Sequence, residues 1–212
     1  MPTRPRTYAL CLIGMASTVA LIAVLVTLSA TVAAIDGAIG SLARTERMVA
    51  LAVDISALAG TDLILPLTAA AVAALALARH WHGALTLALS VLGTQAVVQL
   101  VKLTVDRPRP AVNGAITEAH GPSFPSAHSA TAVALYATLA IVLSHRCHGW
   151  KRVAIIAAGG AVVVAVGLSR IQLGAHYPLD VLAGWLTGGA LMLAFWALAA
   201  RIAPRYATRH AA

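Results

Sequence analysis

The chain has 212 residues, 60% hydrophobic and only 10% charged, against about a quarter charged in an ordinary soluble domain. That excludes a disordered chain, a coiled coil and a polar secreted domain, and predicts a polytopic membrane protein. The net charge of +8 falls in short gaps between apolar runs, which is the pattern of membrane topology rather than of a nucleic-acid-binding face.

A membrane helix needs about 20 mostly apolar residues. The first such run, residues 8–35, follows the basic Arg4 and Arg6. It is longer than the apolar core of a signal peptide, about 7–15 residues, so a retained first span is expected. Residues 36–60 mix Arg44, Glu46, Arg47 and Asp54 with Leu42, Met48, Val49, Ala52 and Val53 at loosely helical spacing. This predicts a short interfacial amphipathic helix. Thr61-Asp62 marks the start of a second span, residues 62–78, with an acid in the favourable first turn. Further spans follow at 84–104, 126–144, 150–168 and 178–200, and the polar, Pro-rich stretch 105–125 reads as a loop. The expectation is therefore an all-α bundle of six transmembrane helices, with residues 1–212 forming one domain. Trp150 and Trp185 are expected to anchor it at the membrane interfaces. Cys11 and Cys147 lie far apart in this topology, so no disulfide is indicated. Nine Lys and Arg fall on the side of the N-terminus and six on the other, which puts the N-terminus in the cytoplasm.

The scarce polar residues gather in three clusters at span ends on one predicted side. These are Lys102 to Pro110, Pro125-Ser126-Ala127-His128, and Ser169-Arg170 to His176 and Asp180. Lys102, Arg109 and Arg170 are three cations that repel one another unless a multivalent anion lies between them, and guanidinium forks match phosphate oxygens. Ser126, after a proline and before an apolar run, reads as an N-cap. The backbone N–H groups of Ala127 and His128 then form an anion site at a helix start. His176 precedes Asp180 by four residues, and a carboxylate beside one ring nitrogen leaves the other as a lone-pair nucleophile. His128 is the candidate general acid and base.

These residues resemble the three-part signature of the type 2 phosphatidic acid phosphatase superfamily. Lys102 is followed by six residues and Arg109-Pro110; Ser169-Arg170 by five residues, His176, three residues and Asp180. The middle cluster has Ala127 where the family usually has Gly. The matched region covers residues 102–180. The resemblance implies a six-helix core and a lipid phosphate substrate reached from the bilayer. It implies His176 as the nucleophile that becomes phosphohistidine, Asp180 as its orienting partner and His128 as the acid and base. It implies Lys102, Arg109, Ser126, the Ala127 N–H and Arg170 as the phosphate cradle, with no metal and no other cofactor. A bacterial inner membrane, with the site on the extracytoplasmic side, is expected.

Plainer readings stand beside these. Lys102 at a span end also suits snorkelling to the interface. Arg107 reads as a solvated loop charge, and Asp106 as a partner for Arg107 or Arg109 or for nothing. His120 reads as a loop histidine, and His80, His82, His145 and His148 as interface residues. A zinc site built from His128, His176 and Asp180 is opposed by the three nearby cations. Ser126 as a nucleophile is opposed by its spacing from His128. The runner-up activity is an undecaprenyl-type polyprenyl diphosphate phosphatase of a carrier-lipid cycle. The rival of another class is a non-catalytic transporter or binding subunit, for which Asp54 and Asp62 would be the relay candidates. A degenerate site would have lost His128, His176 or Asp180, and all three are present.

Overall fold

In the computed structural model the described residues are 45–110 and 121–209, with side chains as far as residue 203. The expected first span 8–35, Cys11, His120 and His210 lie outside them. Every regular element among the described residues is a helix: α1 Glu46–Ala57, α2 Thr61–Leu77, α3 Trp81–Val105, α4 Ala127–Ala132, a π-helical turn Val133–Ala137, α5 Thr138–Ser144, α6 Gly149–Gln172 and α7 Pro178–Arg209. Five stretches are long and apolar enough to cross a membrane: Glu46–Leu77, Trp81–Val105, Ala127–Ser144, Gly149–Gln172 and Pro178–Ala203. The expected spans at 62–78, 84–104, 126–144, 150–168 and 178–200 each fall on one of them. The helix expected within 36–60 is α1. It is joined to α2 through Leu58, Ala59 and Gly60, so the two make one apolar stretch.

Local chemistry sets the ends that matter for the site. Thr45 caps α1 by accepting the Met48 N–H at 3.3 Å, a contact that contributes about 1 kcal/mol. Helix α3 stops at Asp106, which is left-handed at φ 40°. Arg107 and Arg109 each precede a proline, which disfavours helical backbone at both, and neither is in a helix. Pro178 opens α7, where its missing N–H costs nothing. Asp180, two residues further on, reaches back with Oδ2 to the Tyr177 N–H at 2.9 Å. This is half of a capping box, with the acid at the third helical position.

The bundle closes through small residues. A Cβ on Gly184 would lie 2.6 Å from the Ser126 carbonyl oxygen, and one on Gly188 2.5 Å from that of Ala130. These two glycines, one turn apart, let α7 approach the backbone of α4 directly, as small residues do between membrane helices. Ser126 N–H donates to the Asp180 carbonyl at 2.9 Å and locks the two helix starts together. On the other flank, Val49 and Ala52 of α1 pack with Leu173 and Ala175 in the turn between α6 and α7. Tyr136, in the π-helical turn, donates its hydroxyl to the Leu58 carbonyl at 2.7 Å and braces the α1–α2 joint.

Trp185 is half-buried, and its ring packs against the main core over Gly167, where a Cβ would meet it at 2.3 Å. Trp150 is exposed. At the far end of the bundle, Trp196 stacks on His145 with centroids 5.3 Å apart and meets His82 edge-on at 5.0 Å. His82 and Lys102 lie on one helix at a separation of about 30 Å, roughly the hydrocarbon thickness. The three polar clusters therefore occupy one end of the bundle and this aromatic group the other.

Candidate active site

The fold brings all eight expected site residues together from six segments. Lys102 comes from the last turn of α3 and Arg109 from the segment after it. Ser126, Ala127 and His128 start α4, Arg170 sits in the last turn of α6, His176 lies in the α6–α7 turn, and Asp180 in the first turn of α7. Helix α6 runs a full turn beyond the expected 168, and that turn carries Arg170. Its carbonyl accepts the N–H groups of Ala175 at 3.1 Å and His176 at 3.3 Å, so the residue that presents a cation also shapes the turn holding the histidine.

The two ends of the 105–125 loop are zipped side by side. Ser123 N–H donates to the Arg107 carbonyl at 2.8 Å and Ser123 Oγ to that of Pro108 at 3.0 Å. Lys102 Nζ donates to the Pro122 carbonyl at 2.7 Å. Arg109 donates through Nε to Gly121 at 3.0 Å and through Nη1 to Ala175 at 2.8 Å. The same Nη1 lies 3.3 Å from His176 Nε2. Arg170 Nη1 donates to Ser56 Oγ at 2.6 Å, while its Nε is buried without a protein partner.

Asp180 is fully buried. Its Oδ1 accepts from Arg107 Nη1 at 2.6 Å and its Oδ2 from the Tyr177 N–H at 2.9 Å. Oδ2 stands 3.6 Å from His176 Nδ1, a few tenths of an ångström beyond a hydrogen bond. The His176 ring thus has a carboxylate behind Nδ1 and a guanidinium in front of Nε2. Burial pushes the His176 imidazole down to about 4, with Asp180 pulling the other way and Arg170 and Arg109 adding to the fall. Burial likewise lowers Arg109, against the pull of Asp180. His128 lies within electrostatic reach of Arg170, His176, Lys102 and Arg109.

Four cationic side chains thus surround one carboxylate. Such a group is favourable only when a multivalent anion completes it, and a buried arginine nitrogen without a partner is a donor suited to that anion. Among the described residues no set of three or more His, Cys, Asp and Glu side chains is placed to hold a metal ion.

Two local expectations gain detail. Ser126 Oγ accepts from Ser129 N at 3.4 Å and from Ser129 Oγ at 3.0 Å, so the hydroxyl is engaged as the N-cap of α4. Ala127 is an ordinary first helical residue. The left-handed non-glycine positions among the described residues are Arg79 and Asp106. Position 127 therefore makes no use of glycine's conformational freedom.

The sequence reading missed two residues. Arg107 is not a solvated loop charge. It pairs with Asp180 and lies over the Tyr177 ring, 4.4 Å from its centroid. A signal was available, because residues two apart in extended backbone share a side, and Arg109 was already assigned to the site. Ser56, the partner of Arg170, lies 114 residues away, and no sequence pattern pointed to it.

Residues 83–203 match the profile of the PAP2 superfamily. Over 119 residues the chain is 35% identical to phosphatidylglycerophosphatase B of Bacillus subtilis, covering 52% of this chain and 54% of that protein. Over 67 residues it is 42% identical to lipid A 1-phosphatase of Rhizobium etli, covering 32% of this chain and 25% of that protein. The matches thus span about half or less of these relatives' lengths. The fold is similar to the crystal structure of a transmembrane PAP2-type phosphatidylglycerolphosphate phosphatase from Bacillus subtilis. The TM-score is 0.72 at 24% identity, over 92% of this chain and 94% of that one.

Proposed function

This chain belongs to the PAP2 superfamily, and on that premise we propose that it is an integral-membrane lipid phosphate phosphatase working through a phosphohistidine. The observation that carries the reading is the setting of His176, with Nε2 3.3 Å from Arg109 Nη1 and Nδ1 3.6 Å from Asp180 Oδ2. A neutral imidazole with Nδ1–H toward the carboxylate directs its Nε2 lone pair to the place where a guanidinium would hold a phosphate oxygen. Lys102, Arg109, Arg170 and the N–H groups of Ala127 and His128 hold the phosphate.

His176 Nε2 attacks phosphorus and the bond from phosphorus to the lipid oxygen breaks. His128 gives its proton to that departing oxygen. His128 then takes a proton from water, the water oxygen attacks phosphorus, and the P–N bond breaks to release inorganic phosphate. The cationic cradle stabilises the charge on the transferring group, the task a metal ion performs elsewhere. Lipid phosphate as the substrate class is supported by the apolar spans that carry the site and by relatives named for phosphatidylglycerophosphate and lipid A. The lysine and arginine bias supports a cytoplasmic N-terminus and a site on the extracytoplasmic side of the membrane.

The test is phosphate release by purified protein in detergent with EDTA present. The panel holds phosphatidylglycerol phosphate, phosphatidic acid, a lipid A-type 1-phosphate, and prenyl mono- and diphosphates. Release from at least one lipid, lost in His176→Ala, is expected. Near-wild-type rates in His176→Ala remove the phosphohistidine route. Loss of turnover with EDTA that a divalent ion restores removes the metal-free step.

A further inference from the structure

Asp180 poses a problem that the signature residues do not solve. A fully buried carboxylate needs donors on both oxygens, and His176 Nδ1, 3.6 Å from Oδ2, makes no hydrogen bond. Tyr177 N–H holds Oδ2 and Arg107 Nη1 holds Oδ1. Two donors that belong neither to the histidine nor to the phosphate cradle therefore set the plane of this carboxylate. Arg107 is itself held from two sides. Its guanidinium rests on the Tyr177 ring at 4.4 Å, and its backbone carbonyl accepts the Ser123 N–H at 2.8 Å. Its side chain is 17% exposed.

We propose that Arg107 is a positioning residue for the nucleophile, acting through its ion pair with Asp180 to fix the carboxylate behind His176 and to keep the Nδ1 proton on the ring. The inference rests on the phosphohistidine reading and adds a fifth charged residue to that site. When Nε2 bonds to phosphorus the ring becomes cationic, and its Nδ1–H closes on Oδ2. A carboxylate already shared with a guanidinium stabilises that charge without taking the proton. The imidazole then remains protonated at Nδ1 and leaves readily when water attacks. Arg107 is set apart from the cradle because its Nη1 is committed to Asp180 and one guanidinium face to Tyr177.

The experiment compares wild type, Arg107→Gln and Arg107→Lys, and repeats the glutamine change in an Asp180→Asn background, with His176→Ala as control. Each is assayed for kcat and KM on the best lipid of the panel and for inhibition by orthovanadate. Misplacement of a reacting group costs about 100-fold. Arg107→Gln is expected to lower kcat by about that factor while KM and the vanadate inhibition constant stay within about threefold, the mark of an interaction made in the transition state. Arg107→Lys restores part of the rate. In the Asp180→Asn background the glutamine change adds no further loss, because the residue through which it acts is gone.

An unchanged kcat in Arg107→Gln overturns the proposal. So does a rise in KM and vanadate constant at unchanged kcat, which would make Arg107 a phosphate ligand. An undiminished effect in the Asp180→Asn background, or equal losses in the Gln and Lys variants, also overturns it. Wild-type protein that releases no phosphate from any lipid fails the phosphatase reading itself, and this inference falls with it. An active wild type with an indifferent Arg107→Gln sinks only this inference.

Discussion

The Arg170 guanidinium donates to the Ser56 hydroxyl across 2.6 Å, tying a residue of the proposed phosphate cradle to a helix outside the 83–203 stretch that matches the family. Ser56 is buried on the inner side of α1, with Val49 and Ala52, against the turn that carries His176. A hydrogen bond to a charged group contributes about 1.5–3 kcal/mol. Ser56→Ala frees Arg170 to swing, and kcat/KM is expected to fall by about tenfold, the equivalent of 1.4 kcal/mol. Steady-state kinetics on the best lipid of the panel check this. An unchanged kcat/KM means that the cradle holds Arg170 unaided.

The close contact between α4 and α7 predicts a contrast among glycines. Gly184→Ala places a methyl 2.6 Å from the Ser126 carbonyl oxygen and 2.9 Å from Ser129 Cβ. Part of what it meets is backbone, so the start of α4 must shift, and with it His128. Overpacking of this kind costs about 1–3 kcal/mol. Thermal unfolding in detergent should show a lower midpoint, with kcat reduced beside it. Gly189→Ala is the control, since nothing lies within 4 Å of its added Cβ; it should match wild type in both.

The pH dependence follows from His176. Burial holds its pKa down at about 4, below the ordinary 6.5, so the proposed nucleophile stays neutral in the free protein through mildly acidic solution. The kcat/KM profile should show no His176 loss near 6.5, and loss from this group should set in only toward pH 4. Stability carries the same sign. Between 6.5 and 4 the unfolded chain binds a proton at this residue that the folded protein does not, so the contribution present above 6.5 is lost progressively as pH falls toward 4. Melting midpoints across that range should decline less in His176→Gln than in wild type.

Ala127 should be nearly silent. The residue is helical with ordinary φ, and its N–H is the same as a glycine's. Ala127→Gly is expected to change kcat/KM by less than about threefold, and to lower stability by about 0.5–1 kcal/mol through the added backbone freedom of glycine. A large gain in rate would show that the methyl obstructs the phosphate.

Orthovanadate, a phosphate mimic, should inhibit competitively against the lipid substrate. Arg170→Lys should weaken that inhibition by about tenfold, because the compact ammonium cannot reproduce the two-pronged fork. Non-competitive inhibition would place vanadate, and the cradle assignment, elsewhere.

The sequence alone determined the properties that repeat locally. A run of about 20 apolar residues is long enough to cross a bilayer whatever its neighbours are, so the five described spans were legible. A serine after a proline and a Pro-x-Asp opening are helix starts by their own chemistry, so Ser126 and Pro178 appeared where expected. The three polar clusters were legible because polar residues are scarce in such a chain. Tertiary structure alone decided which distant groups meet. Arg107 and Asp180 are 73 residues apart, and Ser56 and Arg170 are 114 apart. Trp185 lies over Gly167, 18 residues away, whose missing side chain leaves room for its ring. Helical period and capping act over three or four residues and carry no information about which helix end packs beside which. Burial supplies it, because a carboxylate removed from water must find its donors wherever the packed bundle places them.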